Sequence, residues 1–200
     1  MSDDKKTVEF FFDVGSPTAY LAYTQLPALA ESCGAQIAWR PMLLGGVFKA
    51  TGNASPVTVP AKGRWMNEDI AQWARRYGVK LTHNPHFPIN TLTLIRGAVG
   101  MQLREPAQFQ RYLDVVFSAM WREQRNLNDA EVLAQVLREG GFDPAQTAAL
   151  TADPEVKAKL IANTEEAVAR GAFGGPTFFV GPRMFFGQDR LEFVREALAG

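Results

Sequence analysis

Ser16 stands between the apolar burst Val8-Glu9-Phe10-Phe11-Phe12 and a run, Pro17-Thr18-Ala19-Tyr20-Leu21-Ala22, with helical spacing. A hydroxyl just before a helix whose first position is proline makes a good N-cap, because it accepts from the unsatisfied N–H groups of the first turn. A second stretch, Gly174-Gly175-Pro176-Thr177, places proline directly before a short β-like run. Other reactive residue types are scarce. The single cysteine, Cys33, excludes an intrachain disulfide and a cysteine-based metal cluster. His83 and His86 lie in a proline-broken stretch without further ligand types around them, so no metal site is expected.

The elements that must position these residues follow from the apolar pattern. The chain has 200 residues, 46% of them hydrophobic and 21% charged, which suits one globular domain or one domain carrying a large insertion. Its formal net charge of zero offers no electrostatic footprint for nucleic acid or an anionic membrane. No apolar run approaches a membrane span, and the polar, mixed-sign start (Met1 to Thr7) lacks the features of a secretory leader, so a cytoplasmic protein is expected.

Residues 8–13 read as a strand buried on both faces, 17–32 as a helix blemished by Pro27 and stopped by Gly34, and 36–40 as a second strand. Strand, helix and strand at this spacing form a βαβ unit with parallel strands. From 59 to 171 the signals are helical: 62–77, 91–104, 106–121, 129–139, 144–151 and 154–170. Residues 177–180 and 184–186 then read as strands joined by a tight turn, and 189–198 as a last helix. The expected class is α/β: a discontinuous unit of residues 1–58 and 172–200, interrupted by an all-helical insertion of 59–171.

A βαβ half and a ββα half joined through helices is the plan of the thioredoxin-like fold, in which the proline at the place of Pro176 is cis. The resemblance extends along the whole chain. The opening FFFDVGSPTAYLA, the stretches Leu44-Gly45-Gly46-Val47-Phe48 and Gly52-Asn53, Lys62-Gly63-Arg64-Trp65-Met66, and Asn84 to Thr91 all contribute. So do Gly171-Ala172-Phe173-Gly174-Gly175-Pro176-Thr177 and Phe186-Gly187-Gln188-Asp189-Arg190. Together they resemble the kappa-class glutathione transferases and the bacterial 2-hydroxychromene-2-carboxylate isomerases, which are DsbA-like thioredoxin folds with a helical insertion. One position departs: Thr18 stands where that family more usually has an aromatic, which bears on contacts to substrate.

The resemblance implies glutathione as cofactor and Ser16 as the catalytic residue, its hydroxyl donating to the bound sulfur at the N-terminus of the first helix. A thiolate there meets unsatisfied N–H groups and the positive end of the helix dipole, and lowering a thiol pKa by about two units takes about 2.7 kcal/mol. A DsbA-type redox role is disfavoured, since Ser16-Pro17-Thr18-Ala19 stands where those enzymes carry two cysteines, and a non-catalytic binding module on the same fold is the other alternative. Cys33 would lie roughly 25 Å along the helix. The remaining binding residues implied are Pro17, Asn53, Lys62, Gly175, Pro176, Gln188 and Asp189, with Arg190 either bracing Asp189 or reaching the ligand. The implied reaction is thiolate addition, bond rotation and elimination on a chromene carboxylate; a transferase would instead leave the sulfur on an electrophile. A homodimer is also implied, together with a second pocket lined by aromatics such as Trp65, Phe87, Trp121 and Phe173.

Overall fold

Phe10, Phe11 and Phe12 are all fully buried, so the strand that carries them, β1 (Thr7–Phe12), must be covered on both faces. The structure, a computed structural model, describes residues 6–200; the leader-free reading of the N-terminus falls largely on residues 1–5, outside the described residues. β1 pairs in parallel with β2 (Gln36–Pro41) and antiparallel with β3 (Thr177–Val180), which pairs antiparallel with β4 (Arg183–Phe186). The order β2-β1-β3-β4 makes β1 an inner strand, as its apolar run requires.

The helices, in chain order, are α1 (Pro17–Ser32), α2 (Leu44–Thr51), α3 (Pro60–Tyr77), α4 (Leu92–Arg104), α5 (Phe109–Trp121), α6 (Ala130–Glu139), α7 (Pro144–Ala152), α8 (Pro154–Ala169) and α9 (Leu191–Ala199). On one sheet face Val8, Phe10 and Phe12 join a large core with α1, α4, α5 and α9. Tyr23 of α1 packs its ring, tilted, against Phe117 of α5 at 4.9 Å and donates to Asp114 at 2.6 Å, which keys the helical stretch onto α1. On the other face Phe11 meets Met42, Val47 of α2 and Ala167 of α8. No helix among the described residues is long and apolar enough to cross a membrane.

The helix expected over 106–121 begins at Phe109, after a 3-10 turn at Pro106–Gln108, and two further differences lie near the candidate site. α2 was not expected, because its eight residues include Gly45 and Gly46 and its N-cap, Leu43, has no side-chain cap. The last helix starts later than expected: Gln188–Arg190 forms a 3-10 turn, entered through Gly187 at φ 102°, and α9 begins at Leu191.

Candidate active site

Ser16 is the N-cap of α1 and Pro17 its first helical residue; Ser16 Oγ accepts from the Ala19 N–H at 3.1 Å. That bond does not exhaust the hydroxyl. Ser16 Oγ also lies 2.9 Å from Thr18 Oγ1 and 3.3 Å from the Gly175 carbonyl oxygen, which Thr18 Oγ1 reaches at 3.4 Å. Ser16 and Gly175, 159 residues apart in sequence, thus meet at one polar point, and the Gly175–Pro176 bond is cis as expected. Pro17 has no N–H, and the Ala19 and Tyr20 N–H groups are taken by Ser16. Thr18 is therefore the first-turn residue whose N–H lacks an intrahelical acceptor. Cys33 caps the far end of α1, half-buried against the core.

Three residues upstream lies a group that sequence reasoning missed. Asp13 is 1% exposed, yet three donors converge on its carboxyl: the Gly15 N–H on Oδ1, and the Leu44 N–H and Thr91 hydroxyl on Oδ2, each at 2.9 Å. It caps α2 from outside, standing in for the cap that Leu43 cannot supply. Burial pushes its carboxyl above the ordinary value, with the three hydrogen bonds opposing. The loop bearing Thr91 is fixed in turn by Asn84, fully buried, which donates to the Met120 and Arg125 carbonyls and accepts from the His86 N–H. A polar residue directly after a continuous apolar strand was the one local signal for Asp13.

The other candidate residues fall into two groups. Asn53 Nδ2 donates to the Phe173 carbonyl at 2.8 Å and so holds the segment entering Gly174-Gly175-Pro176. The Gly187 N–H donates to the Pro176 carbonyl at 3.0 Å, which brings Gln188 and Asp189 alongside. Gln188 is buried, and its carbonyl accepts from the Tyr77 hydroxyl at 3.0 Å, another contact that the sequence did not announce. Burial, then the Asp189 charge, push the Tyr77 phenol up to about 12. Arg190 braces Asp189 at 3.5 Å. Lys62 stands exposed in the first turn of α3.

Of the aromatics, Trp121 is 1% exposed and its indole N–H is given to the Val14 carbonyl at 2.8 Å, so it supports the site from the core and cannot line a pocket. Phe87 is half-buried on Trp121. Trp65 and Phe173 are exposed, and the Phe173 ring lies tilted against Phe186, centroids 4.5 Å apart.

Residues 7–199 match the family model of the DSBA-like thioredoxin domain. A 2-hydroxychromene-2-carboxylate isomerase of Pseudomonas putida is 30% identical over 193 residues, covering 96% of this chain and 93% of that one. The chain belongs to the DsbA-like thioredoxin family, with these isomerases. Human glutathione S-transferase kappa 1 is 26% identical over 209 residues, covering 96% of this chain and 91% of its own. A solved structure of 2-hydroxychromene-2-carboxylate isomerase superposes with a TM-score of 0.82 at 29% identity, covering 96% of this chain and 94% of that one. With relatives named isomerase and transferase, this DsbA-like protein is an enzyme.

The residues at this DsbA-like helix mouth suit a thiol ligand. Ser16 has one proton and two lone pairs. Its cap bond uses a lone pair, so the proton can turn to a sulfur without loss of the cap. Ser16 and Thr18 hold two protons against three available contacts, so one contact is always idle. When Thr18 donates to Ser16, the Ser16 proton is left with a 3.3 Å partner, a long bond for a hydroxyl and easily exchanged.

Proposed function

We propose that the protein is a glutathione-dependent isomerase of the 2-hydroxychromene-2-carboxylate type, with Ser16 as the residue that holds the reacting sulfur as thiolate. The observation that carries this reading is the convergence of Ser16, Thr18 and Gly175 at the N-terminus of α1, in a turn that contains no cysteine. Bound glutathione would supply the nucleophilic sulfur that adds to the substrate's conjugated system and leaves again on elimination.

The chain's own residues bind and orient. The Ser16 hydroxyl turns its proton from the Gly175 carbonyl to the sulfur, while Thr18 donates to Ser16 Oγ and so strengthens that donation. The Thr18 N–H and the α1 dipole add positive potential at the same point. One charge-assisted hydrogen bond, about 1.5–3 kcal/mol, together with the helix end is enough to lower a thiol pKa by about two units. Gly175 and Pro176 offer backbone for strand-like pairing with the cysteinyl unit. Gln188 and Asp189 take the γ-glutamyl carboxylate and ammonium, Asn53 and Lys62 the glycyl end, and Arg190 acts through Asp189. The helical stretch 59–171 supplies the substrate side, with exposed Trp65, and Phe173 of the returning segment, as its aromatic residues. A cytoplasmic homodimer completes the reading.

The 26% identity to human glutathione S-transferase kappa 1 favours a second reading, a transferase acting on other electrophiles at the same thiolate. Titration of bound glutathione by thiolate absorbance tests both. The wild type should show a thiol pKa near or below about 7, and Ser16→Ala should return it toward the free value of about 8.5. An unshifted thiol in the wild type defeats the reading. Turnover of 2-hydroxychromene-2-carboxylate against generic electrophiles then separates isomerase from transferase.

A further inference from the structure

α2 has two working faces. Leu44 and Met42 pack toward Gly175: a Cβ placed on that glycine would stand 3.7 Å from Leu44 Cδ1 and 3.1 Å from Met42 Cε. The opposite face, through Leu43, Gly46 and Ala50, looks into a separate cavity of about 610 Å³ between α2, α4 and α8. That volume lies within the range of small-molecule sites, about 300–1,000 Å³. Leu92 of α4 and Leu160 and Val168 of α8 complete apolar walls, and α2 approaches α8 closely enough that a Cβ on Gly46 would stand 3.1 Å from Thr164 Cγ2.

The charged lining carries two cations, Arg96 and Lys157, against one carboxylate, Glu165. Arg96 of α4 borders this cavity with its Nε buried and without a hydrogen-bond partner. Among the described residues no carboxylate lies within ion-pair distance of Arg96 or of Lys157, which also borders the cavity. Glu165 is the acidic group of the lining; its neighbour Glu166 faces the other way and is held by Arg40 and Arg170. The buried Nε lies out of a ligand's reach; the rest of the half-buried Arg96 guanidinium, which has no carboxylate partner, is the part that can meet an anion in the cavity. A planar carboxylate is the anion that a guanidinium matches with two parallel bonds.

We infer that the cavity between α2, α4 and α8 is a binding site for a small apolar carboxylate, an aromatic or alicyclic acid whose carboxylate pairs with Arg96 and whose ring lies against Leu43, Leu92 and Leu160. The site is distinct from the α1 mouth and does not depend on the glutathione reading.

The test uses 2-naphthoate as probe, titrated into the full-length protein by calorimetry with S-hexylglutathione in excess to fill any thiol-peptide site. One saturable site is expected. Arg96→Gln should weaken it at least ~10-fold, the loss expected for a charge-assisted pair. Ala50→Trp, which fills the cavity from α2, should abolish it, and Ser16→Ala should leave it unchanged. 2-Naphthol, which lacks the carboxylate, should bind far more weakly than 2-naphthoate. Thermal melts confirm that each variant is folded. Absence of binding, equal binding by folded Arg96→Gln, or displacement by S-hexylglutathione overturns the inference. So does a dimer, seen in sedimentation, that excludes the probe and dissociates on Ile161→Asp, since a second copy would then be the occupant.

Discussion

Asp13 and Ser16 are both buried polar side chains at the end of the same strand, 1% and 5% exposed, and they are held in opposite ways. The Asp13 carboxyl is saturated by three donors at 2.9 Å that belong to β1's own turn, to α2 and to the entry of α4. The Ser16 hydroxyl shares a loose set of contacts at 2.9 to 3.3 Å, with more acceptors than protons. A group whose bonds are complete and short fixes architecture; a group whose proton has only a long, exchangeable partner can meet a ligand. Burial alone would not have told them apart.

Substitutions should rank accordingly in their effect on stability. Asp13→Asn should be the most damaging, about 2–4 kcal/mol in urea unfolding, because an amide nitrogen must face at least one of the three donors. The same site predicts a pH dependence. Burial raises the Asp13 carboxyl above 3.8, so between that value and the raised native one the folded state keeps a proton that the unfolded state has lost. Stability from this group should therefore fall as pH rises through that window, and the slope should vanish in Asp13→Asn.

Ser16→Ala removes the cap together with the loose contacts to Thr18 and Gly175 and should cost about 1–2 kcal/mol of stability, yet turnover should drop about 10²–10³-fold, as on loss of one donor to a developing anion. Comparable losses of both, or neither, would erase the contrast with Asp13. Thr18→Val should cost less, under about 1 kcal/mol, while raising the bound thiol pKa part of the way toward its free value. A pH–rate profile that does not move would show that Thr18 only fills space. Arg190→Ala should be the smallest, within about 0.5 kcal/mol, because its pair with Asp189 is solvent-exposed. A large rise in the KM for glutathione would instead make Arg190 a ligand contact.

What could be read from the sequence was whatever has a local signature. Ser16-Pro17 announces the start of α1, helical spacing announces α6 and α7, and the apolar run of β1 announces an inner strand. The site elements that escaped depend on distant partners. α2 carries two glycines and no cap of its own, and its N-terminus is completed by Asp13, 31 residues away. The Asp13–Thr91 bond spans 78 residues and the Tyr77–Gln188 bond 111. The 3-10 turn at Gln188–Arg190 escaped because its residues suit an α-helix start equally well, and the choice is made by the Gly187 bond to Pro176.

Trp121 gives the protein an optical consequence. Its indole is enclosed in the core and anchored to Val14, two residues before Ser16, whereas Trp65 lies open to solvent on α3. With the two half-buried indoles, Trp39 and Trp73, replaced by phenylalanine, the emission spectrum should be a sum of a blue component from the enclosed ring and a red one from the exposed ring. External quenchers such as iodide should remove the red part and leave the blue. What survives quenching would report, without any label, on whether the turn beneath Ser16 keeps its shape.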